Sequence, residues 1–263
     1  MGGQRFKIRK MNIIPVSAFR DNYIWLLHNG KQAAVVDPGD AAPVQLFLNA
    51  HGLSLCAILI THYHADHTGG IQALTQTCPV PVFGPAAEAI AGVTHPLTEG
   101  DTACVPELAL ELQVISVPAH TAGHIAYYDQ DVLFCGDTLF SAGCGRLFEG
   151  TPAQLQQALS KFVALGDDIQ VYCTHEYTLS NLAFARAAEP DNLARDQYAQ
   201  HCEALRAENL PTLPTSIGLE RQINPFLRTR CGTVIDQVAA HSGKRPRNDL
   251  ECLTALRAWK DVF

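Results

Sequence analysis

The sequence predicts a mixed α/β domain followed by a smaller helical one. Short apolar or alternating runs, rich in β-branched and aromatic residues and bounded by Gly, Pro, Asp or Asn, crowd residues 22–173. Helical periodicities lie between them. After about Thr178 the strand signals fade and only helical patterns remain. Consecutive strands joined by tight turns favour a mixed or antiparallel sheet over a doubly wound parallel one. The expected division is a catalytic-type α/β domain over 11–177 and a helical domain over 178–263.

Strands are expected over 22–28, 32–36, 55–60, 110–117, 124–128, 132–135 and 169–173. Helices are expected over 42–50, 70–77, 152–165 and 179–188, and then over 194–208, 233–240 and 249–260. Thr151 is the expected N-cap of the 152–165 helix, Pro152 suits its first position, and Gly166 follows as a stop. Pro211 and Pro214 break the chain after the 194–208 helix. There is no internal repeat and no low-complexity tract.

Of the 263 residues, 47% are hydrophobic and 17% charged, which fits a folded globular chain and excludes a disordered or fibrous one. No apolar run approaches the ~18 residues that a membrane span needs. Residues 1–10 are basic but lead into no apolar stretch with a small-residue cleavage site, so no secretory signal is read there. With its Met-Gly-Gly opening and a second Met at Met11, this segment is read as an over-called start outside the fold. The nine cysteines are scattered and form no C-x-x-C pair. They are expected to be free thiols in a reducing, cytoplasmic setting.

The net charge is -7, unevenly spread. Residues 11–219 hold 7 Lys/Arg against 21 Asp/Glu, whereas residues 220–263 hold 8 against 5. The acidic body argues against a nucleic-acid partner. The basic tail could meet a small anion, or it could be a solvated helical face.

The chemistry is concentrated in Thr61-His62-Tyr63-His64-Ala65-Asp66-His67, which follows the apolar 55–60 run. A strand end hands over to a loop that can aim side chains. In an extended segment residues i and i+2 point the same way, so His62 and His64 can share one metal. Asp66 and His67 continue as the chain turns and can reach a second. Imidazole with carboxylate suits zinc, iron or manganese, and no thiolate in the cluster enforces a closed structural zinc site. Three further candidates each follow an expected strand: His120, Asp137 and His175. His28, His51, His95, His201 and His241 lack this context and are read as surface or structural residues. His124 begins a strand four residues after His120 and is a candidate outer partner of the ligands.

The run Thr61 to His67 resembles the T-H-x-H-x-D-H signature of the metallo-β-lactamase superfamily. The similarity extends to Pro118-Ala119-His120-Thr121-Ala122-Gly123-His124, Gly136-Asp137-Thr138-Leu139-Phe140 and Ala142-Gly143-Cys144-Gly145-Arg146. It continues through Glu149-Gly150-Thr151, His175-Glu176-Tyr177-Thr178, Asn181 to Ala185, Asn224-Pro225-Phe226 and the ending Leu256 to Phe263. Together these resemble the glyoxalase II, or hydroxyacylglutathione hydrolase, family from about Met11 to Phe263.

That resemblance implies a four-layer αββα sandwich with a C-terminal helical domain beside the site. It implies a binuclear centre with His62, His64 and His120 on the first metal, Asp66, His67 and His175 on the second, and Asp137 bridging both. It implies hydrolysis of S-D-lactoylglutathione to D-lactate and glutathione, the second step of methylglyoxal detoxification, with a metal-bridging hydroxide as nucleophile. Asp66 and Asp137 would also offset the metal charge and orient that nucleophile. Two divalent ions per chain are expected, zinc first, with iron or manganese as alternatives. Arg146, Phe148, Tyr177, Arg257 and Lys260 fall on the family's substrate-contacting positions. Arg146 stands where some members have Lys, and Phe148 where some have Tyr, which removes one hydroxyl contact. Arg257 and Lys260 are three apart on the last expected helix and would converge on one substrate carboxylate. The expected partner is a small glutathione thioester, with no nucleic acid and no membrane, and the expected state is a monomer.

Other members of the superfamily fit less well. A persulfide dioxygenase with one iron would leave the second metal's ligands idle. A β-lactamase would have no use for Arg257 and Lys260, and a processing nuclease would want a basic surface. A metal-binding protein without turnover is the alternative from another class, distinguished by assaying metal-loaded protein on a thioester.

Overall fold

Two six-stranded sheets pack face to face in a computed structural model that describes residues 11–263. The expectations for residues 1–10 lie outside the described residues. The first sheet runs in spatial order β1 (Asn12–Ala18), β2 (Asn22–His28), β3 (Gln32–Val36), β4 (Ser54–Leu59), β5 (Val82–Pro85) and β6 (His95–Leu97). Its first two pairings are antiparallel and its last three parallel. The second sheet begins with β7 (Thr102–Val105), β8 (Leu110–Ser116), β9 (Ile125–Tyr128) and β10 (Val132–Gly136). A short hairpin of β11 (Leu139–Phe140) and β12 (Gly143–Cys144) comes next in the chain. The second sheet is completed by β13 (Gln170–Cys173), parallel to β10, and β14 (Thr215–Ser216), antiparallel to β13.

Helices α1 (Ala41–His51), α2 (Ala65–Thr68) and α3 (Ile71–Thr77) leave the first sheet, and α4 (Pro152–Val163) crosses the second. The C-terminal part is α5 (Thr178–Ala188), α6 (Leu193–Ala207), α7 (Ile217–Ile223), α8 (Gly232–Ser242) and α9 (Asp249–Lys260).

Side-chain alternation along β2 explains the layering. Trp25 and Leu27 belong to the core between the sheets, with Val114, Tyr127 and Phe134 of the second sheet. Ile24 and Leu26 point the other way, to Val44 and Leu48 of α1 and Ile71 and Leu74 of α3. Both faces are covered, so β2 reads as a continuous apolar run. Leu155 and Phe162 of α4 and Leu253 and Leu256 of α9 complete the outer layer on the second sheet. The fold is the αββα sandwich, and burying each such side chain contributes about 1.5–3 kcal/mol. Two buried hydrogen bonds fix the sheets to one another: Trp25 Nε1 donates to the Cys173 carbonyl at 3.0 Å, and Tyr127 Oη donates to the Ile60 carbonyl at 2.8 Å.

The α4 start matches its sequence signals. Pro152 is at the first position, and Thr151 accepts from Gln154 N while the Gln154 side chain accepts from Thr151 N. Asp40 caps α1 by accepting from Ala42 N, and Asn248 caps α9 by accepting from Glu251 N. All nine cysteines are free. Among the described residues no helix is long and apolar enough to cross a membrane.

The structure contains elements that the patterns do not reveal. β5 and β6 are short and interrupted by Gly84, Pro85 and Pro96, residues with low strand propensity. α7 has only seven residues, too few for a periodicity to register. α2 is a single turn inside the histidine motif.

Candidate metal centre

Five strand ends deliver carboxylates and imidazoles to one edge of the sandwich. β4 leads through Ile60 and Thr61 to His62 and His64, after which the single turn of α2 swings Asp66 and His67 inward. β8 leads to His120, β10 to Asp137, β13 to His175, and β3 to Asp37. Close backbone approaches make this possible. A Cβ at Gly39 would lie 1.8 Å from the Asp66 carbonyl oxygen, and one at Gly145 would lie 1.8 Å from the Asp137 carbonyl oxygen. Only glycine fits either position.

The side chains form three overlapping sets whose ligand atoms all lie within 4.8 Å of one another: His62, His64 and His120; His62, His67 and Asp137; and Asp66, His67 and His175. His62 Nε2 and His120 Nε2 are each 3.0 Å from His64 Nδ1. Asp137 stands between the sets. Its Oδ1 is 3.5 Å from His67 Nε2, and its Oδ2 is 3.5 Å from His120 Nε2 and 3.3 Å from His175 Nε2. Asp66 Oδ2 faces His67 Nε2 at 3.6 Å and His175 Nε2 at 3.5 Å.

Outer partners fix most rings. His120 Nδ1 donates to the Arg146 carbonyl at 2.8 Å, and His175 Nδ1 donates to Asp21 Oδ1 at 2.8 Å. His62 Nδ1 lies 3.1 Å from Thr61 Oγ1. Asp37 Oδ2 is 3.1 Å from His67 Nδ1, an ion-pair contact poorly aligned for a hydrogen bond. Asn22 Nδ2 donates to Asp66 Oδ2 at 3.0 Å. His124 stacks on His62 at 4.6 Å and accepts from Asp137 N at 3.2 Å.

The electrostatics divide the imidazoles. Burial holds His62 well below its usual range, with neighbouring histidines adding to the effect. Burial also lowers His120 and takes His124 down to about 3. Burial opposes charge on His67 and His175 too, but Asp137 outweighs it and raises both, with Asp37 helping at His67. Asp137 is correspondingly held well below the carboxylate range, its burial outweighed by His67 and His175.

The residues fit a pair of divalent cations. Three imidazole nitrogens converge, with His62 Nε2 and His120 Nε2 both against His64 Nδ1. The buried His67 Nε2 and Asp137 Oδ1 have no hydrogen-bond partner. Buried polar atoms of this kind are rare unless something binds them. The donors are all nitrogen and oxygen, suited to zinc, iron or manganese.

A cleft of about 540 Å³ opens over this cluster. Its lining includes His64, Asp66, His120, Asp137 and His175, with Tyr63, Phe140, Arg146, Phe148 and Tyr177 around them. Two larger grooves elsewhere, of about 860 and 960 Å³, are lined by no histidine at all. Phe148 is 61% exposed and sits edge-on to His64 and His120, with ring centroids 5.7 and 5.1 Å away. Tyr177 stacks flat on His175 at 4.6 Å. The Arg146 side chain is 58% exposed, with Nε 3.4 Å from Asp261 Oδ1.

The last helix carries Arg257 and Lys260 in unequal surroundings. Arg257 is only 6% exposed. Its Nη1 donates to the Cys144 carbonyl at 2.9 Å, Nη2 pairs with Asp261 at 3.1 Å, and its guanidinium lies over the Phe226 ring at 5.3 Å. Lys260 is half-buried over the Phe184 and Phe263 rings, and its Nζ makes one long contact, 3.4 Å, to the Ser180 carbonyl. The i, i+3 spacing put both residues on one helix face, but it could not show that this face packs against the chain. The Arg257 guanidinium is engaged by the β12 segment and Asp261, whereas the Lys260 ammonium has a single long contact.

Sequence reasoning missed Asp21, Asn22, Asp37 and Thr61. For Asp37 a signal existed: it follows the apolar β3 as Asp137 follows β10. Asp21 precedes β2 and Asn22 opens it, and neither carries a comparable mark.

The Metallo-beta-lactamase superfamily profile matches residues 18–175, and the Hydroxyacylglutathione hydrolase C-terminus profile matches residues 176–263. The chain is 50% identical over 253 residues to a hydroxyacylglutathione hydrolase of Nitrosomonas europaea, covering 96% of this chain and 97% of that one. It is 54% identical over 265 residues to a hydroxyacylglutathione hydrolase of Cupriavidus taiwanensis, covering 96% and 99%. Among solved structures it resembles the B3 metallo-β-lactamase BLEG-1, with a TM-score of 0.60 at 25% identity over 82% of this chain and 99% of that one. ETHE1 from Myxococcus xanthus shares the fold, with a TM-score of 0.63 at 24% identity over 95% of this chain and 99% of that one.

Proposed function

Because the chain belongs to the hydroxyacylglutathione hydrolase family, within the metallo-β-lactamase superfamily, we propose that it cleaves S-D-lactoylglutathione and related S-2-hydroxyacylglutathiones to the hydroxy acid and glutathione. The observation that carries this reading is Asp137, whose two oxygens face His67 on one side and His120 and His175 on the other. Two divalent ions, zinc first and iron or manganese as alternatives, would be held by His62, His64 and His120 and by Asp66, His67 and His175 around Asp137, and when bound they supply an activated water and a Lewis acid for the carbonyl.

The remaining work falls to side chains. Asp66 Oδ2 is fixed by Asn22 on a carboxylate whose side chain is 42% exposed, which suits it to orient the attacking water and take up its proton. A thiolate leaves without protonation, since a free thiol has a pKa of ~8.5. The cleft accordingly offers no strong proton donor: burial and the nearby Asp21 hold the Tyr177 hydroxyl protonated, so it can donate a hydrogen bond but no proton. Arg146 and Lys260 would receive glutathione carboxylates, while Phe148 and Tyr177 would flank the thioester. Arg257 would act indirectly, by holding the Cys144–Gly145 turn that ends at Arg146. The proposed working unit is a monomer. Nine free cysteines support a reducing, cytoplasmic setting.

The test is product analysis on S-D-lactoylglutathione and its amide analogue. The expected result is one free thiol and one D-lactate per thioester consumed, with the amide cleaved at least ~100-fold more slowly, the smallest usual contribution of a positioned general acid. Comparable rates on the amide would reveal a proton donor that this assignment lacks, and an untouched thioester would overturn the proposed activity.

A further inference from the structure

The two ligand groups are supported unequally. On the His62, His64 and His120 side, the outer partners are neutral: the Thr61 hydroxyl for His62 and the Arg146 carbonyl for His120. Asp37 reaches His62 only through that hydroxyl, which donates to it at 2.8 Å. On the Asp66, His67 and His175 side, both rings face a carboxylate. Asp21 accepts from His175 Nδ1, and Asp37 pairs directly with His67. Asn22, next to Asp21, holds the Asp66 carboxylate.

The turn that carries Asp21 and Asn22 is itself fastened on both sides of His175. Tyr23 N donates to the Thr174 carbonyl at 2.6 Å, Glu176 N donates to the Asp21 carbonyl at 2.8 Å, and Asn22 bridges to His175. The Tyr23 hydroxyl donates to Glu176 at 2.9 Å. The backbone therefore already places His175, and the Asp21 side chain is not needed to anchor the turn. Its addition is a negative charge on the far nitrogen of the ring. A carboxylate there fixes the tautomer and makes the other nitrogen a stronger donor.

Accepting the binuclear reading, we infer that Asp21 is a positioning residue that works through its charge, and that it makes the Asp66–His67–His175 group the tighter of the two cation sites. Loss of an outer partner of a metal ligand costs ~10–100-fold in affinity. The Asp21 side chain is 37% exposed, so solvent screening puts the expected effect near the lower end, about tenfold.

Zinc titration of the metal-free chain against a chromophoric chelator tests this in the wild type, Asp21→Asn and Asp21→Ala. The Asn amide oxygen can still accept from His175 Nδ1, so Asp21→Asn removes charge while keeping the hydrogen bond. The expected result is that Asp21→Asn weakens the tighter of the two zinc constants about tenfold and leaves the weaker one unchanged. Asp21→Ala should weaken the same constant at least as much. The zinc-free melting temperatures of both variants should stay near wild type, because the backbone bonds of the turn remain. Wild-type zinc constants in Asp21→Asn would show that Asp21 only aligns the ring and would overturn the charge role. Equal weakening of both constants, or a zinc-free variant that no longer melts cooperatively, would show general damage and overturn it too. A wild-type chain that takes up fewer than two zinc ions would instead overturn the binuclear reading, and with it this inference.

Discussion

The floor of the cleft and its rim are built by different rules. On the floor, the ligands ride on strand ends or, for Asp66 and His67, on the single turn of α2, and most have an outer partner that fixes the ring or carboxylate. On the rim, Arg146 and Phe148 are more than half exposed. A rigid floor suits chemistry that depends on ångström placement. A loose rim suits binding that stays the same between ground and transition states. Arg257 belongs to neither class: its charge type suggests the rim, but its burial gives it a structural task.

The sharpest way to break this contrast is Asp137→Ala. It removes the one carboxylate that faces both ligand groups, so metal content should fall toward one per chain. Activity should drop by more than the ~10–100-fold that loss of an outer partner costs. Two tightly held metals and near-normal kcat in this variant would remove Asp137 from its central place.

Arg257→Ala and Arg146→Ala sharpen the contrast at the rim. Arg257→Ala leaves the buried Cys144 carbonyl without its donor, and unfolding experiments should show a loss of about 1–3 kcal/mol. Arg146→Ala should leave stability unchanged and raise KM for glutathione thioesters, by about tenfold or more if one charged hydrogen bond to substrate is lost. The KM effect should vanish for a thioester lacking the glutathione carboxylates. If the two variants exchange these phenotypes, the division between support and contact is wrong.

A smaller effect is expected away from the cleft. Glu189 is buried, which alone would raise its pKa, but hydrogen bonds from Arg228, Asn192 and Cys231 outweigh this and hold it below the usual carboxylate range. A depressed folded-state pKa contributes stability that is present above the unfolded value, ~4.3, and is lost as pH falls through the folded one. Wild type should therefore be more stable than Arg228→Met at pH 7, and the gap should narrow below about pH 4. A constant gap in urea unfolding across that range would show that the pair contributes only through packing.

The sequence carried the floor further than the rim for a physical reason. His62, His64, His120, Asp137 and His175 each follow an apolar run, and the scaffold that aims a ligand leaves its mark in the chain just before it. The central strands were legible because burial on both faces forces continuous apolar segments. β5 and the edge strand β6 are only four and three residues long and contain Gly and Pro, so they read as loop. Asp21 and Asn22 escaped notice because their importance lies in the approach of a turn of the first sheet to His175 of the second, which no local pattern encodes. For Arg257 and Lys260, helical periodicity gave the shared face but not the surroundings that face meets.

Stepwise zinc addition to the metal-free chain, with S-D-lactoylglutathione hydrolysis and bound metal measured in the same samples, tests the binuclear thioesterase assignment most directly. The expected result is no hydrolysis without metal and a plateau at two ions per chain. Hydrolysis by the metal-free chain, or full activity at a single ion, would contradict it.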